Sequence, residues 1–366
     1  MPVKRRPDYW IIFCALALTA MGIVMIYSSS AVLAAQKHGD SYYYLKRQGT
    51  WAALGVMVML FMMTIDYRSL ARWAYPLYFT TAALLAAVLI PGVGRTVNGA
   101  TRWIAVGTLT FQPAELAKLA LVIFFAAILA RKGEEGKLED FLGTFAPLLA
   151  SLGLFFALIQ LQPDLGTAMT LALIIMLMFL AAGARLFHLA AAGLVMAPVM
   201  AISMLTVDYR RRRLLTFLDP WEDSTDAGYQ IIQSFIALAN GGTWGAGLGE
   251  SQQKLFFLPE PHTDFIFSII GEELGFVGAI SVLILFGVLV WRGFKTGLKA
   301  PERFGGLLAL GITFAVATQA FINIAVTLGM LPTKGIPLPF ISLGGTSLVM
   351  WLAAIGLLAN VSEHTT

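Results

Sequence analysis

Ten stretches of this chain are each apolar over close to the ~20 residues that an α-helix needs to cross a ~30 Å hydrocarbon core. They fall at about 10–29, 48–64, 74–90, 112–131, 142–161, 165–182, 186–206, 263–292, 304–328 and 340–360. A soluble core needs a polar surface to enclose it, and this chain has too little: 58% of its residues are hydrophobic and 13% charged. Soluble domains hold about 45–50% and 25%. In lipid every backbone polar group must be satisfied within the chain, so the expected fold is all-α: a polytopic membrane protein with about ten transmembrane helices, residues 1–366 forming a single unit.

The N-terminus has the outline of a signal peptide, Lys4-Arg5-Arg6 before an apolar run from Tyr9 to about Tyr27. That run is too long for a signal h-region and more spans follow, so an uncleaved first helix is expected. With the N-terminus inside, and the long segment 207–262 set aside because long loops translocate regardless of charge, the loops hold 13 Lys and Arg inside against 6 outside. Both termini are therefore expected in the cytoplasm, with 207–262 as one large extracytoplasmic loop. Its amphipathic stretch Ile231–Ile236 is expected to lie partly on the membrane surface. The net charge of +4 is spread along the chain, which fits basic loops and not nucleic-acid binding. A single cysteine, Cys14, rules out an intrachain disulfide, and the four histidines show no metal spacing.

Ionisable residues at membrane depth are costly, which makes each a functional candidate. Glu115 and Lys118 share one face early in the fourth span. They form either a self-neutralising ion pair or a cavity wall where Lys118 meets an anionic substrate. Asp264 opens the eighth span, as an N-terminal cap or as a carboxylate at the outer mouth of a cavity, where partial burial would raise its pKa toward a useful general base. The small stripe Ser268, Gly271, Gly275 on that span should face protein or water. Asp164 sits between two spans on the outer side, as a site carboxylate or equally as a cap for the sixth span. Glu272 and Glu273 lie deeper and need partners. Arg210 to Arg213 form an outward basic cluster, either a solvated face or a phosphate-binding patch. The run Gly241–Gly249 has no Walker lysine and follows no strand, so it is not a nucleotide loop. Lys334–Phe340, with Pro337 and Pro339, reads as a kinked or re-entrant segment lining a cavity.

Taken in order, these motifs resemble the SEDS family (shape, elongation, division and sporulation) of peptidoglycan glycosyltransferases over nearly the whole chain. The resemblance rests on Tyr27–Ser30, Asn98–Trp103, Gln112–Lys118, Gln162–Thr167, Gly228–Gln230, Gln233-Ser234, Leu258–Phe267, Gly271–Gly275 and Lys334–Ser347. Gly271–Gly275 and Gly335–Ser342 lean toward the FtsW/SpoVE division and sporulation branch, with RodA as the sister branch. Leu343 and Thr346 depart from the family's frequent Tyr and Ser.

The resemblance implies a reaction on lipid II, an undecaprenyl-pyrophosphate disaccharide-pentapeptide, at the outer face of the bacterial cytoplasmic membrane. It puts the family's essential carboxylate on Asp264 as the base. It marks Glu115 and Lys118 as a functional pair in the central cavity, with Arg102, Asp164 and Lys254 as candidates near it. Charge and sidedness add Arg210 and Arg213 as a means of steering pyrophosphate. The implied partners are a class B penicillin-binding protein and other divisome or elongasome membrane proteins. No cofactor is certain; the leaving group admits a divalent cation, Mg or Mn, though one carboxylate is a poor metal site by itself. A lipid II flippase and a non-catalytic division scaffold are the rival readings.

Overall fold

The computed structural model describes residues 6–97, 99–107, 109–222, 227–255 and 257–365. Lys4, Arg5 and Asn98, which the sequence analysis singled out, lie outside the described residues. Ten long helices fall on the ten expected stretches: α1 (Tyr9–His38), α2 (Tyr43–Thr64), α3 (Leu70–Val88), α4 (Pro113–Glu134), α5 (Ala146–Gln160), α6 (Leu165–Ala182), α7 (Leu186–Leu205), α10 (Ile266–Lys299), α11 (Arg303–Thr327) and α12 (Gly345–Ser362). Two shorter helices, α8 (Asp208–Leu218) and α9 (Ala227–Gly241), lie within the long segment 207–262.

Eight of the ten long helices, α5 counted together with the π-helical turn Phe141–Phe145 before it, are long and apolar enough to cross a membrane. The region of α2 and α3 meets that test only as a pair, bent by 89° at the break between them. Among the described residues this test therefore gives eight spans, or nine with the pair as one, in line with the expectation of about ten. Lys46, Arg47 and Gln48 open α2, and Arg72 lies in the first turn of α3. These charged and polar ends dilute the apolar run of each helix.

Burial separates a central set of helices from a peripheral one. Within their apolar windows α4, α11 and α12 are 83%, 78% and 83% buried, whereas α7 is only 11% buried. The first three form the middle of the bundle, and α7 is left to lipid. α12 packs along α2 at very short range because both contribute glycine. A Cβ on Gly356 would strike the Met59 carbonyl, and one on Gly55 would strike Leu352. Small residues let helix backbones approach where lipid supplies no hydrophobic drive for association.

The chain is all-α as expected, with one small sheet added. Residues 94–111 form a three-stranded antiparallel sheet in the order β1 (Gly94–Val97), β2 (Ala100–Val106), β3 (Leu109–Phe111). Gly99 and Gly107 take positive φ, 76° and 63°, in its two turns. The sequence carried a signal for it, since Asn98-Gly99 between strand-forming residues is the strongest short hairpin mark.

The segment 207–262 is less free than a surface loop. Ile231 and Ile232 of α9 are buried, and Ser234 pairs with Ser268 of α10 at 2.6 Å. The glycine run that follows has a structural task. Gly275 breaks α10 at φ 67°, ψ −164°, a conformation open to glycine. The backbone groups freed there bond to the run: Ala246 N to Glu272 O at 2.9 Å, Gly247 N to Glu273 O at 3.0 Å, and Phe276 N to Gly242 O at 2.9 Å. The stripe of Ser268, Gly271 and Gly275 accordingly faces protein, as expected.

Candidate active site

α11 sets the frame of the site. Asn323 and Gln319 lie one turn apart on its buried face and both reach the extended segment before α12. Asn323 Nδ2 donates to Ile336 O at 2.8 Å and to the backbone carbonyl of Asp264 at 2.9 Å. Gln319 Nε2 donates to Pro337 O at 2.9 Å. Pro337 and Pro339 keep this segment out of helix, and it lines a cavity, as its sequence suggested.

That cavity, of about 170 Å³, is bounded by Arg213, Gln230, Pro259, Glu260, Asp264, Asn323, Thr333, Lys334 and Ile336 among others. Asp264 precedes the span, since α10 starts at Ile266 with Phe265 at its cap position and no side-chain cap bond. The cap reading of Asp264 therefore gives way to the carboxylate-in-a-cavity reading. The residue is partly exposed to the cavity, yet protein encloses its carboxylate. Desolvation raises the pKa to about 6, Glu260 and Asp164 push the same way, and Arg213 and Arg102 oppose them. Lys334, across the cavity, is lowered to about 8 by burial. Its Nζ lies 3.0 Å from Met169 Sδ.

The sequence candidates divide around this cavity. Asp264 and Arg213 line it. Arg213 also donates to Thr333 O at 3.2 Å, which ties α8 to the cavity wall. Asp164 and Arg102 stand behind it. Asp164 caps α6 through Thr167 N at 3.1 Å, and Arg102 Nη1 lies 3.6 Å from Asp164 Oδ2. Arg102 also holds the carbonyls of Gln162, at 3.1 Å, and Pro163. This clamps β2 to the start of α6.

Four candidates, Arg210, Lys254, Glu115 and Lys118, are placed elsewhere. Arg210 donates to Ser203 O at 3.0 Å and turns back toward α7, although its spacing of three puts it on the same helix face as Arg213. Lys254 is buried in a separate cluster, 2.9 Å from Glu273 Oε1 and 2.6 Å from Gly249 O, with Ser28 bonding the same carboxylate at 2.6–2.7 Å. Glu272 finds Ser251 and, at 3.1 Å, Gln252 N. The partners that Glu272 and Glu273 require are thus the residues just after the glycine run. Glu115 and Lys118 do not line the Asp264 cavity; they border a separate small, apolar-walled cavity of about 20 Å³ with Val122, Ile312 and Trp351. Lys118 Nζ is held by Glu115 at 2.9 Å, by Gln319 Oε1 at 2.6 Å and over the Trp351 ring at 5.0 Å. The pair reaches the cavity only through Gln319 and Pro337. Residue-by-residue reading missed Lys334, Glu260, Gln319 and Asn323 as site residues. Lys334 stood within a quoted motif; Gln319 and Asn323, spaced i,i+4 inside an apolar span, were the signal for the other pair.

Among the described residues no group of three His, Cys, Asp or Glu side chains gathers as a metal site. In the cavity only Asp264 and Glu260 offer carboxylates. The residues alone do not fit a resident divalent cation.

A bundle with a desolvated carboxylate and cations gathered in one cavity at its end defines the class, a multi-pass membrane protein with an enzyme-like site. The chain belongs to the FtsW/RodA/SpoVE family of cell cycle proteins, whose profile matches residues 8–366. It is 46% identical over 360 residues, 98% of this chain and 96% of the relative, to a probable peptidoglycan glycosyltransferase FtsW of Geobacter sulfurreducens. It is 43% identical to the stage V sporulation protein E of Bacillus subtilis, covering 99% and 98% of the two chains. Among solved structures it resembles the rod shape determining protein RodA of Thermus thermophilus, with a TM-score of 0.73 and 29% identity over 97% and 96% of the chains. It also resembles a chain from a study of polymerization and crosslinking by a peptidoglycan synthase complex, with a TM-score of 0.79 and 33% identity over 97% of each chain. The chain is a glycosyltransferase of this family, and of these relatives it is more similar in sequence to FtsW and SpoVE than to RodA.

Proposed function

We propose that this glycosyltransferase polymerises lipid II into glycan strands at the outer face of the bacterial cytoplasmic membrane, for septal or other cell-wall synthesis. The observation that carries the reading is Asp264, a carboxylate with a pKa near 6 in the same cavity as Arg213 and Lys334. The acceptor sugar's 4-hydroxyl attacks the donor's anomeric carbon. As the new C–O bond forms, the hydroxyl proton passes to Asp264. The anomeric C–O bond breaks, and undecaprenyl pyrophosphate leaves with its electron pair. Arg213 and Lys334 supply positive charge for that leaving group, which acts most strongly where charge develops in a water-poor site. A base with a pKa near 6 is mostly ionised at neutral pH and still close enough in pKa to accept a proton efficiently.

Both chain ends lie at the end of the bundle opposite this cavity, where Asp8 N bonds Ser362 Oγ at 2.9 Å. With the cavity outside, both termini are cytoplasmic. The working partner is a class B penicillin-binding protein that crosslinks the new glycan, with further division or elongation proteins of the same membrane.

The test is polymerisation of purified lipid II by wild type and Asp264→Asn, each with the penicillin-binding protein. A general base contributes about 10²–10⁴ in rate, so the folded variant should make little or no polymer. Normal polymerisation by Asp264→Asn would remove Asp264 from the chemistry. Failure of both proteins to polymerise, with lipid II still crossing vesicle membranes, would establish the transporter instead.

A further inference from the structure

The bundle has a second built pocket, at the end opposite Asp264, that the reaction does not use. Asp8 holds Arg292 there, with both guanidinium contacts to Asp8 Oδ2 at 2.5 Å. Arg6, Lys295 and Lys299 stand around this ion pair, and with the hydroxyl residues Thr296, Ser362 and Thr365 they enclose a cavity of about 430 Å³. Among the described lining residues, four cations, Arg6, Arg292, Lys295 and Lys299, face one anion, Asp8, a net charge of +3. Arg292 is fixed by its ion pair, and Lys295 Nζ rests 5.9 Å above the Trp291 ring.

Depth identifies what the pocket meets. From the break at Gly275 to Lys299, α10 runs ~36 Å at 1.5 Å per residue, which puts the pocket at the far membrane–water boundary. Exposed aromatic rings surround it: Tyr9 at 60%, Trp10 at 57% and Trp291 at 61%. Such rings settle at headgroup level. One turn further into the membrane, exposed Phe13 packs edge-on against Trp10 with ring centroids 5.9 Å apart, and Ile284 is exposed two turns below Trp291. The pocket thus offers positive charge and hydroxyls at headgroup depth, above an apolar surface suited to acyl chains. We infer that it binds the phosphodiester headgroup of an anionic phospholipid in the leaflet opposite the Asp264 cavity, its chains lying along Trp10 and Phe13. A basic pocket between transmembrane helices suits such a headgroup. A free phosphate would use the cations but not the apolar surface beneath them.

The experiment is native mass spectrometry of the full-length purified protein titrated with phosphatidylglycerol or phosphatidylcholine, with inorganic phosphate as soluble competitor. Wild type should prefer phosphatidylglycerol by tenfold or more. Each cation near the surface is worth about fivefold, so Arg6→Gln/Lys295→Gln/Lys299→Gln should bind it roughly a hundredfold more weakly. Asp8–Arg292 is left intact to preserve the fold. Should the triple variant unfold, Lys295→Gln alone reads the same effect at about fivefold. Arg72→Gln/Arg131→Gln, which removes two exposed cations from the same end of the bundle, should leave binding unchanged. Four results would overturn the inference: equal binding of the two lipids, retention of phosphatidylglycerol by the variants, an equal loss in the Arg72/Arg131 control, or full displacement of the lipid by phosphate, which would make the pocket a free-anion site.

Discussion

Removing the Lys118 ammonium tests whether a buried ion pair holds the site in shape. Glu115 and Lys118 are 4% and 5% exposed, and Glu115 Oε2 has no hydrogen-bond partner. Lys118→Met would take away the 2.9 Å contact to Glu115 Oε1 as well, leaving a carboxylate buried with no compensation. Breaking such a pair from one side costs about 3–5 kcal/mol. Replacing both charges by groups of similar size is often nearly neutral. The double variant Glu115→Gln/Lys118→Met should therefore recover most of the loss, with a coupling of at least about 2 kcal/mol between the sites. Polymerisation should not recover with it. Lys118 also bonds Gln319 Oε1 at 2.6 Å, and Gln319 holds Pro337 of the cavity wall at 2.9 Å. Neither the single nor the double variant restores that link, since both lack the ammonium. The assays are thermal unfolding in detergent and lipid II polymerisation on all members of the cycle. Additive stabilities would refute the buried-pair argument. Full activity in the double variant would refute the positioning role of Lys118.

Rate should follow pH through the two shifted groups. Asp264 must be deprotonated to act as the base, so with a pKa of about 6 activity falls as pH drops, to about a tenth of its plateau one unit below. Lys334 must keep its proton to hold the leaving group, so with a pKa of about 8 activity also falls above that value; a profile that stays flat from pH 5 to pH 9 would contradict both roles. Arg213→Gln should lower kcat/KM by about 10–100-fold through loss of a charge-assisted contact worth about 1.5–3 kcal/mol, whereas Arg210→Gln, turned toward α7, should stay within about threefold. The reverse order in steady-state kinetics would place the steering charge on the other arginine. Gly275→Ala forces a Cβ onto φ 67° and against Gly245 N and Thr243 O. It should destabilise by more than about 3 kcal/mol, read as loss of monodisperse protein on size exclusion, and a variant as stable as wild type would show that the break in α10 can relax.

Much of this protein was fixed by sequence alone, because a bilayer leaves few choices. An apolar run of about 20 residues must be a helix when no water can satisfy its backbone, so the ten helices and their order were legible from hydropathy. Asp264 and the segment from Lys334 to Phe340 were legible for a related reason, since a carboxylate or paired prolines beside a span stand out against apolar surroundings. The hairpin at 94–111 went unread, although Asn98-Gly99 marked it, because the spans dominated the pattern.

Only the tertiary structure decided which charges meet. Lys254 and Lys334 look alike in sequence, both cations in loops between spans. The break at Gly275 and the glycine run that repairs it draw Lys254 to Glu273, away from the cavity. Asn323 and Gln319, two amides on a single helix face, bring Asp264 and the segment before α12 into one wall. Arg210 and Arg213 sit three residues apart on one short helix, and the acceptors packed around it draw Arg210 back to α7 and Arg213 to the cavity wall. Hydropathy records how far each residue is from water along its own segment. The facing of two segments depends on packing between residues hundreds of positions apart, and that information is not local to any stretch of the chain.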